Sequence, residues 1–214
     1  CAYIRKGETM RIFNIGLNLG LVFYGRYGSI EFDYIDLKEK SILLGYPKNK
    51  VVVKPINSSG SCGLRILNKK ANYKKLFYNT RADYTEITLA DLKEIIGKKF
   101  TPLIISEFLP GVEYTVDCLR YNKQNYAFPR IRTEIKHGLT YKGQMYKNPE
   151  LIRLSKKIAQ LFDLTTVFGF QFKLNSNLEP VIIDCNPRIQ GTMIMGTLAN
   201  ANIIAAGVKM LLGE

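Results

Sequence analysis

The stretch FGFQFKLNSNLEPVIIDCNPR, Phe168 to Arg188, decides how this chain folds. It predicts two strands joined by a polar turn. The first strand carries Gln171. The second is the apolar run Val181-Ile182-Ile183, which ends in Asp184, Asn186 and Arg188. A short apolar run bounded by turn residues suits a buried strand. Alternate side chains of a strand leave one face together, so Asp184, Asn186 and Arg188 converge, and Gln171 on the paired strand points the same way. Pro187 lacks the N–H that a ladder needs and stops the strand. A carboxylate, two amides and a guanidinium at one strand end suit oxygen-coordinated magnesium with phosphate beside it. The competing expectation is a β-hairpin that merely ends in polar residues.

The stretch belongs to a chain of 214 residues, enough for one large domain or two small subdomains with a real core. The apolar share of 46% places the chain in the globular class, and the formal net charge is +13. That charge invites a nucleic-acid partner. However, the basic residues are dispersed as doublets (Lys69-Lys70, Lys74-Lys75, Lys98-Lys99) rather than gathered in a run, which fits a solvated Lys-rich surface that attracts nucleotide-sized anions. Aromatic residues interleaved with basic ones, as a stacking surface requires, occur only at Tyr73–Tyr78, where a short amphipathic helix explains them equally well. Nucleic acid is therefore not expected as a partner. Cys1, Cys62, Cys118 and Cys185 show no CxxC spacing and His137 is the sole histidine, which argues against a zinc site. Cys118 and Cys185 fall inside apolar strands and are expected as buried thiols, in keeping with a reducing, cytoplasmic location. No apolar run has the length of a membrane span and no signal-peptide pattern is present. Because the chain starts at Cys1, a fragment of a longer product is expected.

In chain order, Met10–Leu21 has helical spacing. A helix is expected over 36–45, starting at Asp36 with Glu39 and stopping at Gly45. Val51-Val52-Val53 is a strand ending in Lys54-Pro55. A Gly/Ser loop, Asn57–Gly63, follows, and then a strand at Leu64–Leu67. Small residues let backbone N–H groups approach phosphate oxygens, and Lys54 supplies a point charge, although GK[ST] is missing and such loops are commonly only structural. Thr88 with Asp91 opens a helix over 88–96. Leu103-Ile104-Ile105 and Glu113–Leu119 are strands parted by a Pro110-Gly111 turn, a candidate hinge whose free backbone groups could meet an adenine edge. Tyr126–Ile135 is a further strand, Gly138–Gly143 is expected as a loop, Asn148-Pro149-Glu150 opens a helix, and Ile203–Leu212 is the last helix.

Four motifs now stand in one order: Val51-Val-Val-Lys54-Pro with its loop to Gly63, Ile105-Ser-Glu107-Phe-Leu-Pro-Gly111-Val-Glu113, Gln171, and Asp184-Cys-Asn186-Pro-Arg188 with Gly191-Thr192. Together they resemble the ATP-grasp superfamily, and more narrowly the group similar to the carbamoyl-phosphate synthase large subunit, from about residue 30 to the C-terminus. The resemblance implies an α+β fold of two subdomains with mainly antiparallel sheets clamping a nucleotide. In that layout residues 1–29 are an N-terminal segment or remnant, 30–110 the small subdomain with the phosphate loop, and 111–214 the large subdomain with the metal site.

The resemblance also assigns roles. Lys54 would contact the phosphates under the loop Ser58, Ser59, Gly60, Ser61 and Gly63. Glu107 and the backbone of Phe108 and Leu109 would meet the adenine, with Ile183 near its ring, and Glu113 would hold the ribose. Gln171, Asp184 and Asn186 would bind magnesium, or manganese in its place, and Arg188 would touch the γ-phosphate or the acceptor, making Lys54 and Arg188 the expected catalytic residues. Arg130 and Arg132 are candidate clamps for the acceptor carboxylate, against simple pairing of one of them with Glu134. The implied activity is an ATP-dependent ligase joining a small carboxylate to an amine or ammonia through an acyl phosphate; the alternative is a non-catalytic nucleotide-binding module. A homo-oligomer is compatible with either. Three departures from relatives stand out: Asp184 where many carry Glu, Thr9 rather than a Lys near Glu8–Arg11, and an absent or reduced preceding α/β domain.

Overall fold

β-Branched and aromatic runs, each bounded by turn residues, nucleate two separate sheets rather than one. The computed structural model describes residues 34–55, 61–79, 85–97, 100–101, 103–122, 124–136 and 138–214. The expected helix at Met10–Leu21, Thr9 and Arg11, the loop residues Ser58, Ser59 and Gly60, and His137 lie outside the described residues. The described chain divides into two units after Phe108.

The first unit holds helix α1 (Tyr34–Leu43), strands β1 (Val51–Pro55) and β2 (Arg65–Leu67), helix α2 (Tyr73–Asn79), strand β3 (Thr85–Ile87), helix α3 (Leu89–Ile96) and strand β4 (Leu103–Glu107). Its sheet runs β3-β2-β1-β4, antiparallel except for the parallel β2–β3 pair. Directly paired residues share a sheet face. Val51 pairs with Leu67 and Glu107, and Val53 with Ile105, so these side chains occupy one face. There Val51, Val53, Leu67 and Ile105 join Leu37 of α1 and Leu89 and Leu92 of α3 in one buried cluster. α3 starts as its sequence predicts: the Thr88 side chain accepts from the Asp91 N–H while the Asp91 carboxylate accepts from the Thr88 N–H, a capping box that satisfies two orphan donors. The aromatic and basic stretch Tyr73–Tyr78 is part of the short helix α2.

The second unit holds strands β5 (Glu113–Tyr121), β6 (Gln124–Lys136) and β7 (Leu139–Met145), helix α4 (Pro149–Leu161), strands β8 (Thr166–Leu174) and β9 (Pro180–Asn186), and helices α5 (Ile194–Leu198) and α6 (Ile203–Leu212). Its five strands run β7-β6-β5-β8-β9, all antiparallel. The expected loop Gly138–Gly143 is instead most of β7. Among the described residues this strand pairs only with β6, and it is largely exposed, so no apolar alternation announced it. One face of the sheet carries Tyr114, Val116, Cys118, Phe168, Phe170 and Phe172, all at most 7% exposed. Helix α4 packs on β5 and β6 with Ser155 beside Cys118, and Asn148 caps it by accepting from the Leu151 N–H at 3.1 Å. The fully buried Phe168, Phe170 and Phe172 stack edge-on at 5.5 and 6.2 Å, and truncating any of them costs about 3–5 kcal/mol. Burial drives the Cys118 thiol well above its ordinary range. Cys185, expected to be buried, is exposed because β9 is an edge strand, yet desolvation and then the neighbouring Asp184 charge raise its thiol to about 11.

Candidate functional site

The opposite face of the five-stranded sheet is where the polar residues gather. Thr115 pairs with Arg130 on one side and Gln171 on the other, and Gln171 pairs with Asp184, so these four form one row across four strands. The next row holds Asp117, Phe128, Gly169 and Asn186. Gln171, Asp184 and Asn186 thus share a face, the convergence that their spacing predicts.

The alternation of β9 alone does not achieve this. Val181 pairs with Lys173 and Ile182 with Phe172, but the register then shifts, and Asp184 rather than Ile183 faces Gln171. Ile183 is the extra residue of a β-bulge, a device that re-aims side chains beside functional sites.

Within this cluster Asn186 Nδ2 donates to Asp184 Oδ2 at 2.9 Å, and the Cys185 N–H donates to Asp184 Oδ1 at 3.0 Å. The amide bond leaves the Asn186 carbonyl oxygen as its remaining acceptor. One carboxylate and two amide oxygens are hard oxygen donors and fit magnesium, which characteristically takes one or two carboxylates and completes its shell with phosphate and water. Among the described residues no three His, Cys, Asp or Glu side chains come together as a metal site, so the cluster carries a single negative charge. Arg188 follows in the exposed turn after β9, with its N–H donating to Asn186 O at 2.8 Å. Beside it a cavity of about 250 Å³ is lined by Val167, Ile189, Ile204 and Val208 among others.

The two further arginines are occupied by the chain itself. Arg130 Nε and Nη2 donate to the two oxygens of Asp117 at 2.8 and 3.2 Å, with both side chains at most 2% exposed. Arg132 Nη1 donates to Glu113, its Nε to Thr140 Oγ1 at 2.7 Å and its Nη2 to Gly138 O at 2.6 Å. Neither pairs with Glu134, which takes Lys136 and Lys142 instead. Glu113, expected to hold a ribose, is thereby engaged by Arg132 at the start of β5.

In the first unit Lys54 lies on the sheet face opposite the buried cluster, since it pairs with Ile104. Glu107 ends β4 on the buried face, opposite Val51, so the structure does not bring Lys54 and Glu107 to one face. The Glu107 Oε1 atom is buried and has no hydrogen-bond partner among the described residues, and desolvation holds its carboxyl above the usual range. Phe108 lies under the Lys50 ammonium, 5.4 Å from ring centre to nitrogen, and Leu109 is buried. Ser61 and Gly63 close the loop on to β2: Ser61 O accepts from the Leu64 N–H at 3.1 Å. Gly63 has φ +74°, and a Cβ there would stand 2.7 Å from the Pro55 ring, so only glycine fits. Ile183 is half-buried in β9.

Sequence reasoning missed Asp117 and Gln190, both buried polar residues on the site face. Asp117 did carry a signal, an acid inside the apolar strand Tyr114–Leu119, where burial requires a partner.

The mixed α and antiparallel β architecture is that of the ATP-grasp fold, as the motifs predict. Residues 99–214 match the family described as ATP-grasp in the biosynthetic pathway with Ter operon, and the chain belongs to that family. It is similar in structure to biotin carboxylase from Campylobacter jejuni in complex with β,γ-ATP (TM-score 0.65, 14% identity, 91% of this chain and 42% of that one). A second similar structure is the biotin carboxylase domain of 2-oxoglutarate carboxylase from Hydrogenobacter thermophilus with MgADP and bicarbonate (TM-score 0.66, 15% identity, 93% and 43%). A third is N5-carboxyaminoimidazole synthetase from Staphylococcus aureus with ADP (TM-score 0.58, 14% identity, 86% and 44%). The chain therefore spans less than half the length of these proteins, and no curated protein matches it in sequence.

Proposed function

We propose that this chain is the nucleotide-binding part of an ATP-dependent ligase that joins a small carboxylate to an amine or ammonia through an acyl phosphate. The observation that carries the proposal is the gathering of Gln171, Asp184 and Asn186 on one sheet face by the β9 bulge. Those three would hold magnesium, and the metal would offset charge on the transferring phosphoryl group. Lys54 and the backbone of the loop ending at Gly63 would hold the phosphates, with Ser58, Ser59, Gly60 and Ser61 in that loop. The orphaned oxygen of Glu107 would accept from the exocyclic amine of adenine, with the Phe108 backbone meeting the same ring. Glu113, already oriented by Arg132, would accept from a ribose hydroxyl.

Arg188 would face the γ-phosphate or the acceptor. In the first step the bond from the γ-phosphorus to the ADP oxygen breaks as a carboxylate oxygen bonds to that phosphorus. In the second the nitrogen lone pair attacks the acyl carbon, phosphate leaves, and the nitrogen loses a proton to solvent. The chain supplies position and charge rather than a nucleophile.

A second reading, a nucleotide-binding module without turnover, is favoured by one observation. Arg130 and Arg132 already serve Asp117 and Glu113 and do not stand ready for an acceptor carboxylate. ADP release on adding candidate carboxylates and amines separates the two: nucleotide binding with no release, in the full-length gene product as well, would favour the passive module.

A further inference from the structure

Arg188 sits in an exposed turn, yet a phosphate- or carboxylate-binding guanidinium needs a fixed backbone behind it. From Asp184 to Thr192 the buried side chain is that of Gln190, at 7% exposure. It lies over Gly169 of β8, where a Cβ would stand 2.4 Å from Gln190 Nε2. Its Oε1 accepts from Arg130 Nη2 at 3.4 Å, and its backbone O accepts from the Met193 N–H at 3.1 Å. Arg130 is itself fixed by the two-oxygen pairing with Asp117, and its remaining Nη1 meets Met195 Sδ at 3.9 Å.

We infer that Asp117, Arg130 and Gln190 are positioning residues: a buried polar chain from β5 through β6 that pins the turn carrying Arg188 to the sheet. The missing side chain of Gly169 is part of the device, because it makes the room that the Gln190 side-chain amide occupies. Arg130 thus acts through Gln190 on Arg188 and does not itself touch a substrate. The sequence pattern explains why the device is local. Gln190 stands two residues after Arg188 and three before the fully buried Met193, so the turn is held at its end while Arg188 stays exposed. Gln190 Nε2 is buried without a hydrogen-bond partner among the described residues, so the pin rests on the Asp117–Arg130 pairing and on the bond from Arg130 to Gln190 Oε1.

The functional side of this inference rests on the nucleotide reading of the site; the pin itself does not, and the experiment separates them. Hydrogen exchange of the unliganded protein is compared with that of Gln190→Met, which keeps the volume but loses the acceptor, and of Gly169→Ala, which displaces Gln190 without touching Arg130. The amides of Arg188 and Met193 are expected to exchange at least about tenfold faster in both variants, with β5 and β6 unchanged. Unchanged exchange at 188–193 overturns the pin whether or not the protein binds nucleotide.

In the second arm, binding of Mg-ATP and Mg-ADP is measured for Gln190→Met, Arg188→Ala and the double variant. The expected result is a loss of preference for ATP over ADP in each single variant and no further loss in the double. Additive losses, or equal losses for ATP and ADP, overturn positioning through Arg188. A wild-type protein that binds neither nucleotide removes the nucleotide reading and with it the Arg188 role, while the exchange result still decides the pin.

Discussion

Gln171 and Asp184 face each other directly across β8 and β9, although the ladder between these strands is out of step one residue away. With Asn186 bonded to Asp184 they form a cluster that bears one negative charge. One carboxylate is a weak trap for a strongly hydrated dication, so in the proposed site phosphate oxygens would supply the remaining affinity. Magnesium alone should therefore leave the melting temperature nearly unchanged. Mg-ATP at about a hundredfold over Kd should stabilise the protein by about 2.7 kcal/mol, a rise of several degrees. Asp184→Ala and Lys54→Ala should each abolish the rise. No rise in the unmutated protein would sink the nucleotide proposal, and an equal rise with magnesium alone would sink the cooperative account.

Glu107 offers a pH-dependent test. Desolvation raises its carboxyl above 4.5 in the folded protein. Its contribution to stability is thus fully present below the unfolded value and is lost as pH rises through the raised folded value. A donor from adenine would favour the ionised form and draw the value back down, so Mg-ATP binding near pH 5 should release a proton. Calorimetry in buffers of different ionisation enthalpy reads this directly. Proton uptake, or none, removes adenine from Glu107.

The Asp117–Arg130 pair is buried on both sides. Asp117→Ala leaves a cation without its partner and should cost about 3–5 kcal/mol in denaturant unfolding. The double variant Asp117→Leu/Arg130→Met, which removes both charges, should recover most of that loss. A double variant as unstable as the single would show that packing, not the unpaired charge, sets the cost.

The β6–β7 edge should be acid-sensitive. Hydrogen bonds from Lys136 and then Lys142 hold the Glu134 carboxyl down at about 2, from 4.5. The stabilisation from this clasp is present above 4.5 and is lost as pH falls from there through about 2. Glu134→Gln should flatten that part of the acid limb, as followed by exchange of β7 amides. An unchanged limb would mean that the exposed ion pairs contribute nothing measurable.

Gly111 is predicted to resist substitution. A Cβ there would lie 2.5 Å from Leu174 Cβ and 2.6 Å from Leu174 O, where backbone cannot yield as a flexible side-chain tip can. Gly111→Ala should cost about 1–3 kcal/mol. A neutral result in thermal unfolding would show that this contact relaxes freely.

Elements whose signals are local were legible in the sequence. The Thr88–Asp91 capping box and the Asn148-Pro149 start place α3 and α4 because both depend on a few adjacent residues. The paired strands of the opening stretch were legible from composition and turns. β7 was not, because backbone pairing to β6 rather than burial holds it, and its Gly138 and Gly143 resemble turn residues. At the site, Asp184 and Asn186 announced themselves by spacing. The pairing of Arg130, a candidate clamp for the acceptor carboxylate, with Asp117 was not legible, because Asp117 is thirteen residues away across a hairpin whose register only the fold fixes. The exposure of Cys185 was hidden for a similar reason, since nothing in an apolar run says that its strand lies at an edge.

The surplus residue Ile183 has a consequence of parity. Without the bulge but with Ile183 kept, strict alternation from Ile182 would bring Ile183 opposite Gln171, turn Asp184 toward the Phe170 side of the sheet and put Cys185 on the site face. The chemistry of this edge is thus set by counting as much as by identity. Deleting Ile183 would keep Asp184 opposite Gln171 in a regular ladder, whereas straightening the bulge with Ile183 retained would exchange a candidate oxygen ligand for a thiol, while leaving every candidate ligand in the sequence.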